Sequence, residues 1–201
     1  MTRIDGVTPE RAGLGMKLLY RFARRSLPKL TGTAPDGALA ALEILALQPK
    51  LLRSLGMLEG ANAKLHGVDP KLKALARLRA ATITGCEFCI DIGSQISRRS
   101  GLSEAQLLDL HRYRDSYLFS DLEKLVLDFA TGMSASPVVV SDELFAALRE
   151  HFDDRQLVEL ASFIALENLV GRFNHAFDIG SAGFSEGMVC ARPQPALRLA
   201  G

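Results

Sequence analysis

Apolar positions recur at helical spacing along almost the whole chain. Leu51, Leu52, Leu55 and Leu58 follow Pro49, and Leu72, Leu75, Ala76 and Leu78 follow Pro70; this is the three-and-four spacing of one buried helix face. Asp69, Ser103, Ser120, Ser141 and Asp153 stand just before such runs, where a side-chain oxygen can accept from the first free N–H groups of a helix. Helices are therefore predicted from Pro49, from Pro70 to Gly85, from the cysteines near 86 to about Ser100, and after each later cap. Thr8-Pro9-Glu10 predicts a further helix start running to about Leu27, and 38–47 reads as one apolar helix. Pro28 and the run 31–37 read as a linker. Val138-Val139-Val140 has strand propensity but no partner strand. The expected fold class is all-α. Its parts are an N-terminal helix and linker over 1–34, a helical domain over 35–181, and a Gly-, Ser- and Pro-containing tail over 182–201 that holds Cys190.

Chemistry concentrates at Gly85-Cys86-Glu87-Phe88-Cys89, which carries two of the three cysteines. Residues three apart on a helix share a face, with Cβ atoms roughly 5–6 Å apart, close to disulfide reach after a small adjustment of the first turn. The glycine can end one helix and let another begin, and a helix start offers free N–H groups that favour thiolate. The pair reads either as a dithiol that opens and closes or as small core packing. Cys86, nearest the helix start, is expected to be the more accessible thiol. Asp91 reads as a solvated or capping carboxylate. Cys190 reads as an inert thiol, or as a third partner for the pair if the tail approaches it.

Charge narrows the partners. The 24 basic and 23 acidic residues nearly cancel, so no field steers the chain toward nucleic acid, and none is expected as a partner. No apolar run reaches the length of a membrane span, and no membrane association is expected. The basic amphipathic stretch with Lys17, Arg21, Arg24 and Arg25 reads as a solvated helix face. An odd cysteine count suits a reducing compartment. The first residues lack the order of a secretory signal, and a cytoplasmic location is the expectation. A single cysteine pair falls short of a zinc site. No metal or cofactor is expected.

The run Leu72-x-x-Leu-Ala-x-Leu-Arg79, followed by Gly85-Cys-x-x-Cys89, resembles the core of the carboxymuconolactone decarboxylase and alkylhydroperoxidase D superfamily. The later helices, with Ser141-Asp142-Glu143-Leu144 and Glu167-Asn168 through Arg172-Phe173-Asn174-His175, are also similar, so the resemblance spans roughly 40–185. It implies an all-helical fold, a homo-oligomer (dimer, trimer or hexamer) and, in one branch, a dithiol peroxidase served by a thiol electron donor protein. Cys86 and Cys89 match that branch's two thiols. The branch also places a histidine four residues after the second cysteine and a glutamate about twelve before the first; here those positions are Gly93 and Ala74. The run Cys-x-x-Cys-Ile-Asp-x-Gly looks like a recurring subgroup of the superfamily.

A replacement for that relay is sought on the last long helix. Asn168, Arg172 and His175 form a polar stripe at four- and three-residue intervals. His175 is the expected base, and Glu167 the weaker candidate one step off the stripe. The stripe is equally readable as a buried network or a subunit contact. His66 reads as a helix C-terminal cap, and His111 and His151 as exposed. The resulting expectation is a thiol-dependent oxidoreductase using Cys86, Cys89 and His175 on a small-molecule substrate. The alternatives are a decarboxylase-like enzyme using His175 and Arg172, or a non-catalytic binding member.

Overall fold

The structure, a computed structural model, describes residues 2–194. Among them it contains nine α-helices and no strand: α1 (Leu14–Thr31), α2 (Ala40–Leu45), α3 (Pro49–Asn62), α4 (Pro70–Thr84), α5 (Glu87–Arg99), α6 (Glu104–Asp109), α7 (Asp121–Ser134), α8 (Asp142–Arg149) and α9 (Asp154–Ala176). The all-α expectation holds. The predicted caps act as read: the side chains of Asp69, Ser103, Ser120, Ser141 and Asp153 each accept from a backbone N–H in the first turn of the helix that follows. None of the described helices is long and apolar enough to cross a membrane.

Helix α4 lies at the centre, packed on α5, α7 and α9. Leu75, Ala76, Leu78, Ala80 and Ala81 are all almost fully buried, and the alanines let neighbouring helices approach closely from several sides. Two charges on α4, the buried Lys73 and the half-buried Arg77, find partners on α9. Lys73 Nζ meets Glu159 Oε1 at 2.7 Å, and Arg77 meets Glu167 Oε2 at 3.0 Å. Burial works against the Glu159 charge, but Lys73 and the N–H groups of Gly67 and Val68 outweigh it and hold that carboxyl below the usual range.

Several boundaries differ from the sequence expectation. Residues 8–11 form a turn, with Arg11 N–H donating to Thr8 O at 3.1 Å, and α1 begins only at Leu14. Helix α1 then runs through Pro28 to Thr31 and closes at Gly32, whose φ of 88° lets its N–H return to Pro28 O. The stretch 38–47 is split into a 3-10 turn, Asp36–Leu39, and the short α2. Helix α3 stops at Asn62, so His66 lies beyond its end in an exposed loop and caps nothing.

The first and last described segments both pack on the helical domain. Tyr20 of α1 is buried with Leu39, Leu45 and Leu52 in a small second core, and its hydroxyl donates to Val7 O at 2.6 Å. The segment from 180 to 194 folds back along α5 and α4. Phe184 and Ala191 are buried, and Gln194 N–H donates to Thr82 O at 2.8 Å. The expected tail is therefore ordered contact surface up to Gln194, and 195–201 fall outside the described residues.

Candidate functional site

Gly85 closes α4 in the left-handed conformation, at φ 67°, a geometry glycine adopts without penalty. The chain then turns directly into α5 with Cys86 as the N-cap: its Sγ accepts from Cys89 N–H at 3.2 Å. Cys86 and Cys89 are disulfide-bonded, with Cα atoms 5.2 Å apart. The sulfur pair therefore sits on the first turn of a helix, where free N–H groups and the dipole stabilise negative charge.

Helix α9 crosses over this turn. It comes close because Gly171 has no side chain: a Cβ there would lie 2.5 Å from Thr84 Oγ1. Three residues later, Asn174 is buried and points its Nδ2 at both sulfurs, 3.6 Å from Cys86 Sγ and 3.5 Å from Cys89 Sγ. The polar side chain of α9 that reaches the cysteines is Asn174 and not His175. His175 lies one residue on, about 100° round the helix, and is exposed. The sequence stripe was sound in pitch but one residue out of phase with the sulfurs.

The other stripe members form a separate network. Arg172 donates to Asn168 Oδ1 at 2.6 Å, and Asn168 donates to Ser134 Oγ at 2.8 Å.

A cavity of about 190 Å³ opens beside the disulfide, lined in part by Cys89, Phe88, Ile92, Gly93, Ala74 and Glu167. Cys86 does not line it. Cys86 is 2% exposed and Cys89 5%, so the expectation of a more accessible Cys86 is corrected: the N-cap position turns its sulfur into the protein, and Cys89 faces the cavity. Ala74 and Gly93, the two positions that lack the relay groups, both line this cavity. Its ionisable groups come instead from Glu167, Arg77 and Glu59. Burial pushes the Glu167 carboxyl up, and the paired Arg77 only partly offsets this. Burial opposes the Arg77 charge too, but Glu167 and then Glu59 outweigh it and raise the guanidinium further.

Glu167 is thus a buried carboxylate on the same cavity as Cys89, and sequence reasoning placed it behind His175. A usable signal existed. Lys73 and Arg77 are one turn apart on α4, and Glu159 and Glu167 are two turns apart on α9, a matched spacing of bases and acids.

Asp91 is neither solvated nor part of the cavity. It is 3% exposed, and its carboxylate collects the returning chain. Oδ2 accepts from the N–H groups of Ala182, Gly183 and Phe184 at 2.8–3.0 Å and from Ser181 Oγ at 2.8 Å. Oδ1 accepts from Ser185 N–H at 2.7 Å. Its capping role, read from sequence as one option, is directed at the tail and not at its own helix. Cys190 rests on α5 beside Ser94 Oγ, 3.3 Å away, and forms no disulfide.

The carboxymuconolactone decarboxylase family profile matches residues 49–132, a span that includes α4 and the cysteine turn. An uncharacterized Escherichia coli protein, YnjA, is 42% identical over 121 residues, covering 60% of this chain and 66% of its own length. The chain thus spans just under two thirds of that relative. The alkyl hydroperoxide reductase AhpD of Mycobacteroides abscessus is 32% identical over 91 residues, 40% of this chain and 52% of that protein. Among solved structures, the debrominase Bmp8 superposes with a TM-score of 0.72 at 20% identity, over 86% of this chain and 91% of its own. An alkylhydroperoxidase AhpD core, an uncharacterized peroxidase-related protein from Ralstonia eutropha JMP134, gives 0.71 at 19% identity, over 91% and 94%. These two share the fold. The profile match and the sequence relatives show that the chain belongs to the carboxymuconolactone decarboxylase and alkylhydroperoxidase D-like superfamily.

Proposed function

We propose that the chain is a thiol-dependent oxidoreductase that reduces a hydroperoxide through Cys86 and Cys89. The observation that carries this is a disulfide on a helix N-terminus with one sulfur, Cys89, on a cavity that also holds the buried acid Glu167. In the reduced protein Glu167 takes the Cys89 proton, and the thiolate attacks the peroxide. The O–O bond breaks, Cys89 becomes a sulfenic acid, and the alkoxide recovers the proton to leave as an alcohol. Cys86 then displaces hydroxide from the Cys89 sulfur, which departs as water with the Cys86 proton, and the disulfide closes. A thiol donor, small or protein-borne, attacks the cavity-facing sulfur and releases Cys86 as a thiolate held by Cys89 N–H and Asn174. A second donor thiol then attacks the donor sulfur of this mixed disulfide, freeing Cys89 and leaving the donor as its own disulfide. Good leaving-group stabilisation speeds such exchange.

The decarboxylase-like alternative is disfavoured, because Arg172 is engaged by Asn168 and His175 faces solvent. Homo-oligomers and a cytoplasmic setting accord with the reading, and sizing the intact protein in solution tests the first.

Intact mass and free-thiol count after one equivalent of hydroperoxide test the chemistry. Reduced wild type should lose two hydrogens, about two daltons, and Cys86→Ser should halt at a sulfenic acid. Full retention of both thiols after the peroxide sinks the proposal.

A further inference from the structure

A second cavity, of about 330 Å³, lies beneath α1. Its walls come from α1, α2 and α3, with Leu27, Leu42, Leu45, Leu52 and Leu55 among them, and its polar side chains are Ser26 and Glu59. Phe88, Ile92, Val170 and Glu59 line both this chamber and the cysteine cavity. The two spaces therefore adjoin across these shared side chains at α5, with Cys89 on one side and an apolar chamber on the other. Many of the chamber's walls, from Ala23 to Leu45, precede the 49–132 span of the family profile. The N-terminal helices thus add an apolar compartment to the cysteine core.

An apolar hollow of this size gains by exchanging water for a hydrocarbon or aromatic body. Hydrogen peroxide needs none of it. We infer that the chamber beneath α1 holds the apolar body of the molecule that reacts at Cys89, which makes the preferred oxidant a long-chain or ring-bearing organic hydroperoxide. This rests on the dithiol reading for its chemistry, but not for its binding. The hydroperoxide leaves as the corresponding alcohol, and that alcohol is an unreactive probe of the same site.

The test uses 1-decanol binding by calorimetry together with turnover of decyl hydroperoxide and hydrogen peroxide. Two variants occupy the space. Gly56→Phe enters at the chamber's rim, where an added Cβ meets no atom within 4 Å. Ala41→Phe projects from α2 inside it. Decanol should bind wild type and the Cys86→Ser/Cys89→Ser protein alike, and at least tenfold more weakly to each filled variant. It should also slow alkylation of reduced Cys89 by iodoacetamide at least fivefold. In the filled variants the ratio of kcat/KM for decyl hydroperoxide over hydrogen peroxide should fall at least tenfold.

Failure of decanol to bind wild type, or binding undiminished in both folded variants, overturns the inference even if peroxide is reduced. Binding that leaves Cys89 alkylation unchanged also overturns it, because the chamber and the sulfur would then be separate sites. Intact decanol binding and Cys89 protection, with neither peroxide turned over, upholds the shared site and defeats the peroxidase reading instead.

Discussion

Cys86 and Cys89 have unequal surroundings, and in the proposed dithiol cycle that inequality divides their roles. Cys89 faces the cavity and can be attacked; Cys86 is turned inward onto an N–H of its own helix and the amide of Asn174. Removing the Asn174 contact should hinder departure of the Cys86 thiolate during reduction. One such hydrogen bond is worth about 1 kcal/mol, so Asn174→Leu, which conserves volume, should slow disulfide reduction by dithiothreitol roughly fivefold. His175→Ala should leave the same rate within about twofold, because His175 is exposed and does not reach the sulfurs. Glu167 supplies a second residue-scale prediction. Its folded pKa is raised, chiefly by burial, so it works as a base only once the pH has climbed through that raised value. Peroxide reduction by wild type should therefore rise across that interval, above the ordinary glutamate range. Glu167→Gln should abolish this limb and lower kcat/KM by about 10²-fold, the scale of a general base. An unchanged pH profile in that variant would remove Glu167 from the mechanism.

At the scale of elements, α5 holds the sulfurs at its start and anchors the returning chain one turn later. Asp91 gathers four N–H groups and one hydroxyl from 181–185, and Phe184 packs edge-on against Phe88, the neighbour of Cys89. Asp91→Asn turns one acceptor into a donor facing other donors. Hydrogen bonds to a charged group are worth about 1.5–3 kcal/mol each. The variant should lose about 3 kcal/mol of stability in urea unfolding, and limited proteolysis should cut within 180–190 before any other site. Sequence reasoning found most elements because capping side chains and helical periodicity are local. Ser120 and Asp153 each start a helix where the pattern places it. It failed where distant contacts decide. Helix α1 extends through Pro28 although proline is a local stop signal, and its last turn closes at Gly32. The partners of Asp91 lie some ninety residues downstream, beyond any local pattern.

At the scale of the molecule, the cysteine turn and its helical setting were legible because motif and helix context lie in one short stretch. The site's polar members were not. Which residue of α9 faces the sulfurs depends on helix phase, set by the close approach at Gly171, and a shift of one residue exchanges His175 for Asn174. The buried acid depends on α4 and α9 packing side by side, with Arg77 directed at Glu167. The fold also bears on whether a dithiol cycle is possible, since a protein that opens its disulfide at each turnover must stay folded without it. This disulfide spans a sequence separation of only three, so it constrains the unfolded chain little; chain-entropy reasoning for such a loop gives about 2 kcal/mol. Removing it should leave the cores around α4 and Tyr20 in place, because their buried side chains come from helices throughout the chain. For a domain of this size each kcal/mol moves Tm by about 2–4 °C. Reduction should therefore lower Tm by roughly 4–8 °C and leave the far-ultraviolet helical signal unchanged. A collapse of helicity on reduction would mean that the disulfide is a structural staple, and a staple cannot also be the group that turns over.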